Sequence, residues 1–193
     1  MRYCYSLFLL LALSFTLGAE AYRGFLLTKD NHQLTGYFNL IEYSPNGNYI
    51  TFTNDFGDVY AIHPMLVKGF GFNEEGQSIR FISRFHEGQW FFLRQVSQGR
   101  HLSLYSLPDG KDRYVDDSML RLFVNPPPQM WLAYGKGELI GVPRVGYKRF
   151  LREFMKETNP SLAKRIGKKG YRYRDLENIV AEYNVTSRRR RRL

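Results

Sequence analysis

The sequence predicts an α+β fold: an antiparallel β-meander, arranged as a sandwich or a partly open barrel, followed by three short C-terminal helices. Three observations predict it. Aromatic residues make up 16% of the chain, with 15 Phe and 14 Tyr, a content suited to packed strands. From residue 23 to residue 142, short aromatic and β-branched runs alternate with Gly, Pro, Asn and Asp turns at hairpin spacing. Beyond Pro143 the apolar period changes from two residues to about 3.6, the period of a helix.

Residues 1–21 read as a secretory signal peptide. Arg2 precedes an apolar run over residues 7–17, and Ala19-Glu20-Ala21 supplies the small-x-small pattern that signal peptidase accepts. That run is short of the roughly 20 apolar residues that a membrane-spanning helix needs. No transmembrane span is therefore expected in the mature chain. Cys4, the only cysteine, lies ahead of the apolar run, where no lipid attachment site would stand. After cleavage no thiol remains, which excludes disulfide staples and thiolate chemistry together. One ordinary core has to hold the rest.

Residues 22–143 form the β-rich portion. The runs 36–43 and 49–53 flank Pro45, Asn46, Gly47 and Asn48, a hairpin turn composition. Asp55-Phe56-Gly57-Asp58 turns the chain into a strand over 59–62. Strands are expected over 78–85, 89–96 and 100–107, with Ser97-Gln98-Gly99 and Pro108-Asp109-Gly110 as turns. These connections are too short for crossovers, so pairing is expected to be antiparallel. Pro126, Pro127 and Pro128 cannot donate to a ladder and separate the run 120–124 from a last hairpin, 129–134 with 138–142.

Residues 144–187 form the helical portion. Tyr147, Phe150, Leu151, Phe154 and Met155 share one face at i, i+3, i+4, i+7 and i+8. Asn159-Pro160 reads as an N-cap with proline in the first turn of a short helix, with Leu162 and Ile166 inward and Gly167 or Gly170 at its end. Leu176, Ile179, Val180 and Tyr183 mark the third helix.

Charge is divided unevenly. Residues 22–143 hold 11 Lys and Arg against 12 Asp and Glu, whereas residues 144–193 hold 16 against 5. The candidate site is therefore basic and C-terminal: Lys164, Arg165, Lys168, Lys169, Arg172 and Arg174, with the run Arg188, Arg189, Arg190, Arg191 and Arg192. Five like charges in succession repel and bury nothing, so residues 188–193 are expected to form a flexible basic tail. Such a surface suits phosphate-bearing partners. Export disfavours nucleic acid and favours anionic envelope polymers, lipid headgroups or an envelope protein.

Catalytic patterns are weak. His32, His63, His86 and His101 show no metal-ligand spacing, and His86 and Glu87, as neighbours on a strand, should face opposite sides. No serine stands in a nucleophile-elbow or Ser-x-x-Lys arrangement. The pairs Asp116-Asp117 and Glu74-Glu75 suit solvated loops better than an acid–base pair. Gly69, Gly71 and Gly76 do not open a helix at phosphate-binding spacing. No residue pattern points to a cofactor. Asn184-Val185-Thr186 matches a glycosylation acceptor. The sequence thus favours a non-enzymatic binding module, with a small exported hydrolase as the alternative.

Several segments carry a family likeness: the early glycine-bearing hairpins, residues 60–70 with Pro64 and Gly69-Phe70, Ser103-Leu104-Tyr105, and residues 171–184. In their order the chain resembles a family of exported proteins from Bacteroidota. In that family the β-rich module with C-terminal helices precedes an outer-membrane β-barrel in some members and stands alone in others. The resemblance implies an envelope setting and brings no catalytic or ligand residues. The arginine-rich end departs from the barrel-fused members, so work beside a barrel would need a separate partner chain.

Export has a direct readout. N-terminal sequencing of the protein isolated from the envelope is expected to start at or near Tyr22, and recovery of Met1 there would overturn cleavage.

Overall fold

The computed structural model describes residues 21–123, 125–135 and 137–190, and the signal-peptide reading of residues 1–20 lies outside them. Strands form where turn composition puts them, and two further strands, over residues 22–28 and 67–74, form beside them. In chain order they are β1 (Tyr22–Thr28), β2 (Gln33–Ser44), β3 (Gly47–Asn54), β4 (Val59–Ile62), β5 (Val67–Glu74), β6 (Gln77–His86), β7 (Gln89–Ser97) and β8 (Leu102–Ser106). A short β9 (Val115–Asp116) and a last hairpin, β10 (Met130–Tyr134) with β11 (Leu139–Val142), complete the sheet.

All long pairings are antiparallel, as short connections require. The order runs β11-β10-β8-β7-β6-β5-β1-β2-β3-β4, and β7 also meets β3, so β3, β2, β1, β5, β6 and β7 close into a six-membered ring. β4 continues the sheet past the ring on one side, and β8, β10 and β11 continue it on the other. β9 adds a short parallel pair to β2.

Closure rests on very few atoms. Its ladder is a single residue pair, Gly47 with Trp90. Gly47 has φ +124, and a Cβ there would run into the Trp90 carbonyl oxygen, so only glycine brings the strands this close. Beside it the fully buried Asn48 side chain takes the place of a strand. Its Nδ2 donates to the Phe92 carbonyl at 3.2 Å, and its Oδ1 accepts from the Phe92 N–H at 2.6 Å. Gln89 adds a donor to the Pro45 carbonyl at 2.8 Å.

Alternation along each strand sends the large rings into the ring interior. Phe70 stacks on Phe81 with centroids 4.5 Å apart and meets Phe92 edge-on at 4.9 Å. Phe38 lies 4.9 Å from Phe70, and Tyr114 closes over Phe72 edge-on at 5.0 Å. Such offset and edge contacts each add about 0.5–1.5 kcal/mol beyond simple burial. β7 buries Phe91, Phe92 and Leu93 in succession, all three in the core that also holds Trp131 and Ala133, so both faces of the strand are covered there.

A second core sits between β8, β10, β11 and the helices α1 (Tyr147–Met155), α2 (Pro160–Ala163) and α3 (Leu176–Arg190). Leu102, Leu104, Leu132 and Val142 from the sheet meet Leu151, Met155, Leu162, Ile166, Leu176, Ile179, Val180 and Tyr183. Asn159 caps α2, its Oδ1 accepting from the Leu162 N–H at 3.2 Å. α3 is pinned to β8 by one side chain. Asn184 Oδ1 accepts from the His101 and Leu102 N–H groups, both at 3.0 Å, and Nδ2 donates to the Leu102 carbonyl at 2.7 Å. A Cβ at Gly99 would collide with that amide.

Three expectations change. The run 120–124 is not a strand over its described part, because Met119–Leu122 forms a 3-10 turn against β2. Phe154 is half-buried rather than buried, stacking on Tyr134 at 4.9 Å. The helical backbone does not stop at residue 187: α3 continues to Arg190, so three of the five arginines expected in a flexible tail belong to a helix. Arg191 and Arg192 lie outside the described residues.

Asn48→Ala is expected to lower stability by about 2–4 kcal/mol, because it leaves both polar groups of Phe92 buried without partners at about 1–3 kcal/mol each. Chemical denaturation measures it, and an unchanged midpoint would mean that the ring does not depend on this contact. The two cores should also melt as one. Leu176→Ala is expected to cost about 2–5 kcal/mol in a single transition, and a β portion that melted unchanged would make the helices a separate appendage.

The buried tyrosines set an alkaline limit. Burial pushes the Tyr43 and Tyr114 hydroxyls well above the ordinary tyrosine range, and Tyr43 donates to the Pro108 carbonyl at 2.6 Å. The folded chain therefore keeps these protons after the unfolded chain, near pH ~10, has released them. Stability should be intact below about pH 10 and fall as pH rises further. Urea titrations across that range test the limb, and Tyr43→Phe should make it shallower.

Candidate anionic-surface site

The expected cationic site lies on the compact turn that links α2 to α3. Gly167, with φ +94, reverses the chain so that its N–H donates to the Tyr171 carbonyl at 2.7 Å, and the Tyr171 N–H returns to the Lys168 carbonyl at 2.9 Å. Ile166 anchors the turn in the second core. α1 supports it from the side, where Arg152 donates to the Ile166 carbonyl at 2.9 Å and the Lys148 stem lies against Gly167.

The six cations on this segment divide by what they touch. Arg165 turns inward. It donates to the Tyr171 hydroxyl at 2.5 Å, pairs with Glu182 of α3 and lies over the Tyr171 ring at 4.6 Å. The Tyr171 hydroxyl in turn donates to Glu182 at 2.9 Å. Hydrogen bonding to Glu182 holds Arg165 charged and raises the Tyr171 hydroxyl above its ordinary value. Arg165 thus fastens the turn to α3 rather than presenting its charge outward.

Arg174 lies 3.9 Å from Asp175, and the Arg172 N–H donates to Asp175 at 2.9 Å where the chain enters a 3-10 turn. Lys164, Lys168 and Lys169 are exposed, and no ion pair or side-chain hydrogen bond engages them among the described residues. These three, with Arg172, are exposed cations of the segment. Arg188, Arg189 and Arg190 have helical backbone on α3. The sequence brought all of these residues together by charge alone and could not separate Arg165 from the rest.

The acidic pairs serve the fold. Glu74 and Glu75 face Arg113 at 4.0 and 2.6 Å. Asp116 accepts from the Ser118 N–H at 2.9 Å, which lowers its carboxyl below the ordinary range. Asp117 accepts from the Gly110 N–H at 3.0 Å and lies 3.7 Å from Arg121. His63 caps the 3-10 turn at Pro64–Leu66 by accepting from the Met65 N–H at 3.3 Å. Asn184 is committed to β8, so the glycosylation reading has no available amide.

His86 and Glu87 overturn one expectation. Glu87 is not on the strand but in the turn after it, at φ +47, and its carboxylate approaches His86 Nε2 to 3.5 Å. With Arg84 and Glu138 they line a cleft of about 850 Å³. Among the described residues, no group of three or more His, Cys, Asp and Glu is arranged to hold a metal ion. No described helix is long and apolar enough to cross a membrane.

The sequence reading also missed an apolar cup of about 440 Å³ at the end of the ring, walled by Leu34, Phe52, Phe56, Tyr60 and Ile62. Its signal was Phe56, a large apolar ring inside a four-residue turn. Comparison with protein-family models, with curated proteins and with solved structures gave no match.

Proposed function

We propose that this chain is an exported, non-enzymatic module of the cell envelope whose helical cap engages an anionic partner, either lipid headgroups or a phosphate-bearing envelope polymer. One observation carries the reading: Lys164, Lys168 and Lys169 stand exposed, without ion-pair or hydrogen-bond partners among the described residues, on a turn tied to α3 by the Arg165–Tyr171–Glu182 contacts. The held turn sets where the three lysines stand, so only their side chains lose freedom on meeting an anionic surface, and each contributes about 1 kcal/mol there. The export signal over residues 1–21 and the likeness to exported Bacteroidota proteins support the envelope setting.

Co-sedimentation with phosphatidylglycerol vesicles, against phosphatidylcholine vesicles as the neutral control, tests it across a salt series. Changing Lys164, Lys168 and Lys169 together to Gln should weaken binding at least tenfold at low salt, with a smaller difference as salt rises. The melting temperature should hold, since these side chains are exposed. Arg165→Gln should lower stability more than binding. Equal binding by the triple variant at every salt concentration would overturn the proposal.

A small hydrolase has one observation in its favour, the pairing of His86 and Glu87 in their cleft. Glu87 is 85% exposed, however, and a general base is ordinarily tuned by desolvation. The cleft is also lined by no Ser, Thr or Cys.

A further inference from the structure

We propose that the open edge of β4, with the apolar cup beside it, receives an extended peptide segment of another protein. That segment would add as a strand, place an apolar side chain in the cup and set a basic side chain against Asp58. This goes beyond the anionic-surface reading, because it concerns a part of the ring that carries none of the cap's cations.

β4 ends the sheet order, and among the described residues only β3 pairs with it. Phe52 pairs with Tyr60 and Ile50 with Ile62, and the Asn54 N–H donates to the Asp58 carbonyl at 3.0 Å. Hydrogen-bonded pairs alternate in an antiparallel ladder, so Tyr60 and Ile62 direct their backbone groups at β3 while Val59 and Ala61 direct theirs at the open edge. Sheet edges are commonly guarded by charge, proline or a bulge. The four residues of β4, Val-Tyr-Ala-Ile, carry no charge and no proline, and Val59 is 65% exposed.

The cup lies on the face that such a strand would serve. Residues paired across a ladder share a face, so Tyr60 follows Phe52 and Ile62 follows Ile50 toward the ring interior. The incoming residue opposite Tyr60 or Ile62 would point the same way, over the cup. Phe56 completes the wall and is held 93% exposed by a rigid turn, in which Asn54 Oδ1 accepts from the Phe56 and Asp58 N–H groups at 3.0 and 2.8 Å. A main-chain ladder for affinity and a side-chain pocket for selectivity are the two parts of strand-addition recognition.

Charge fixes the remaining feature. Asp55 and Asp58 stand at the turn end of β4. Asp55 accepts from the Thr35 hydroxyl at 2.5 Å and has Arg23 at 3.9 Å, while among the described residues no cation lies within ion-pair distance of Asp58. An acidic end on an apolar strand edge favours a peptide with Lys or Arg at that end.

Fluorescence anisotropy of a labelled hexapeptide of alternating Thr and Val with a terminal Lys, titrated with the mature protein, tests the proposal. Saturable binding is expected. Ala61→Pro removes the outward N–H without touching the β3 ladder and should weaken binding at least tenfold. Phe56→Ser and Asp58→Lys should each weaken it severalfold, with the melting temperature unchanged. Should Ala61→Pro fail to fold, a peptide N-methylated at alternate residues removes the same bonds with the protein untouched. Absence of saturable binding, or equal affinity for the N-methylated peptide, would overturn strand addition, and so would a β4-dependent dimer of this chain that excludes the peptide.

Discussion

The contact between Gly47, Asn48 and β7 is the constraint on which the rest of the structure depends. A six-strand ring has no unpaired edge where it closes, and here closure is reached with one backbone pair and one asparagine side chain. The geometry leaves no substitute. Only a residue without Cβ lets β3 touch the Trp90 carbonyl, and the Asn48 amide presents a donor and an acceptor side by side to the two polar groups of Phe92. With the seam shut, the Phe38, Phe70, Phe81 and Phe92 rings are enclosed on every side. With it open, the same rings would face water along one flank.

The seam also orders what lies outside the ring. Because β7 is committed on one side to β6 and touches β3 only at its start, its later residues are free to pair with β8. From there the sheet continues through β10 and β11. That extension is what gives the helices a floor. Leu102, Leu104 and Leu132 would be solvent-facing on an isolated hairpin, and the apolar faces of α1 and α3 would be unpaired. The two cores meet across β8 and β10, where Leu102, Leu104 and Leu132 serve the helices while Tyr105, Trp131 and Ala133 serve the other core.

Local patterns were legible and long-range closures were not. Alternation and turn composition mark the hairpins of β2 to β4, of β6 to β8 and of β10 with β11, since the residues that decide a turn are the turn itself, but they do not mark β1 and β5. The same sequence could not show that residue 48 bonds to residue 92, because an asparagine after Pro-Asn-Gly reads as one more turn residue. It grouped Arg165 with its neighbours by charge, although the Glu182 that captures it comes from another helix. His86 and Glu87 were separated by a strand rule that fails when the second residue enters a left-handed turn. For the same reason the run 120–124 looked like a strand. Leu120 and Leu122 alternate with Arg121 as strand residues do, and the short helical turn they form has no sequence period of its own.

The cap shows how a surface can gather positive charge without loosening the fold beneath it. Its attachment relies on apolar contacts and on Asn184, which bonds β8 through neutral groups. None of those interactions depends on the charge of Lys164, Lys168 or Lys169, whose side chains are exposed and whose mutual repulsion dissolved salt screens over about 8 Å at physiological ionic strength. The exception is instructive. Arg165 is half-buried, and it has a carboxylate and an aromatic ring arranged around it, as partial desolvation of a guanidinium requires. The boundary between structural and available charge therefore runs through the middle of a single basic segment. It falls where contacts give way to solvent, with Arg165 tied to Tyr171 and Glu182 and the three lysines exposed.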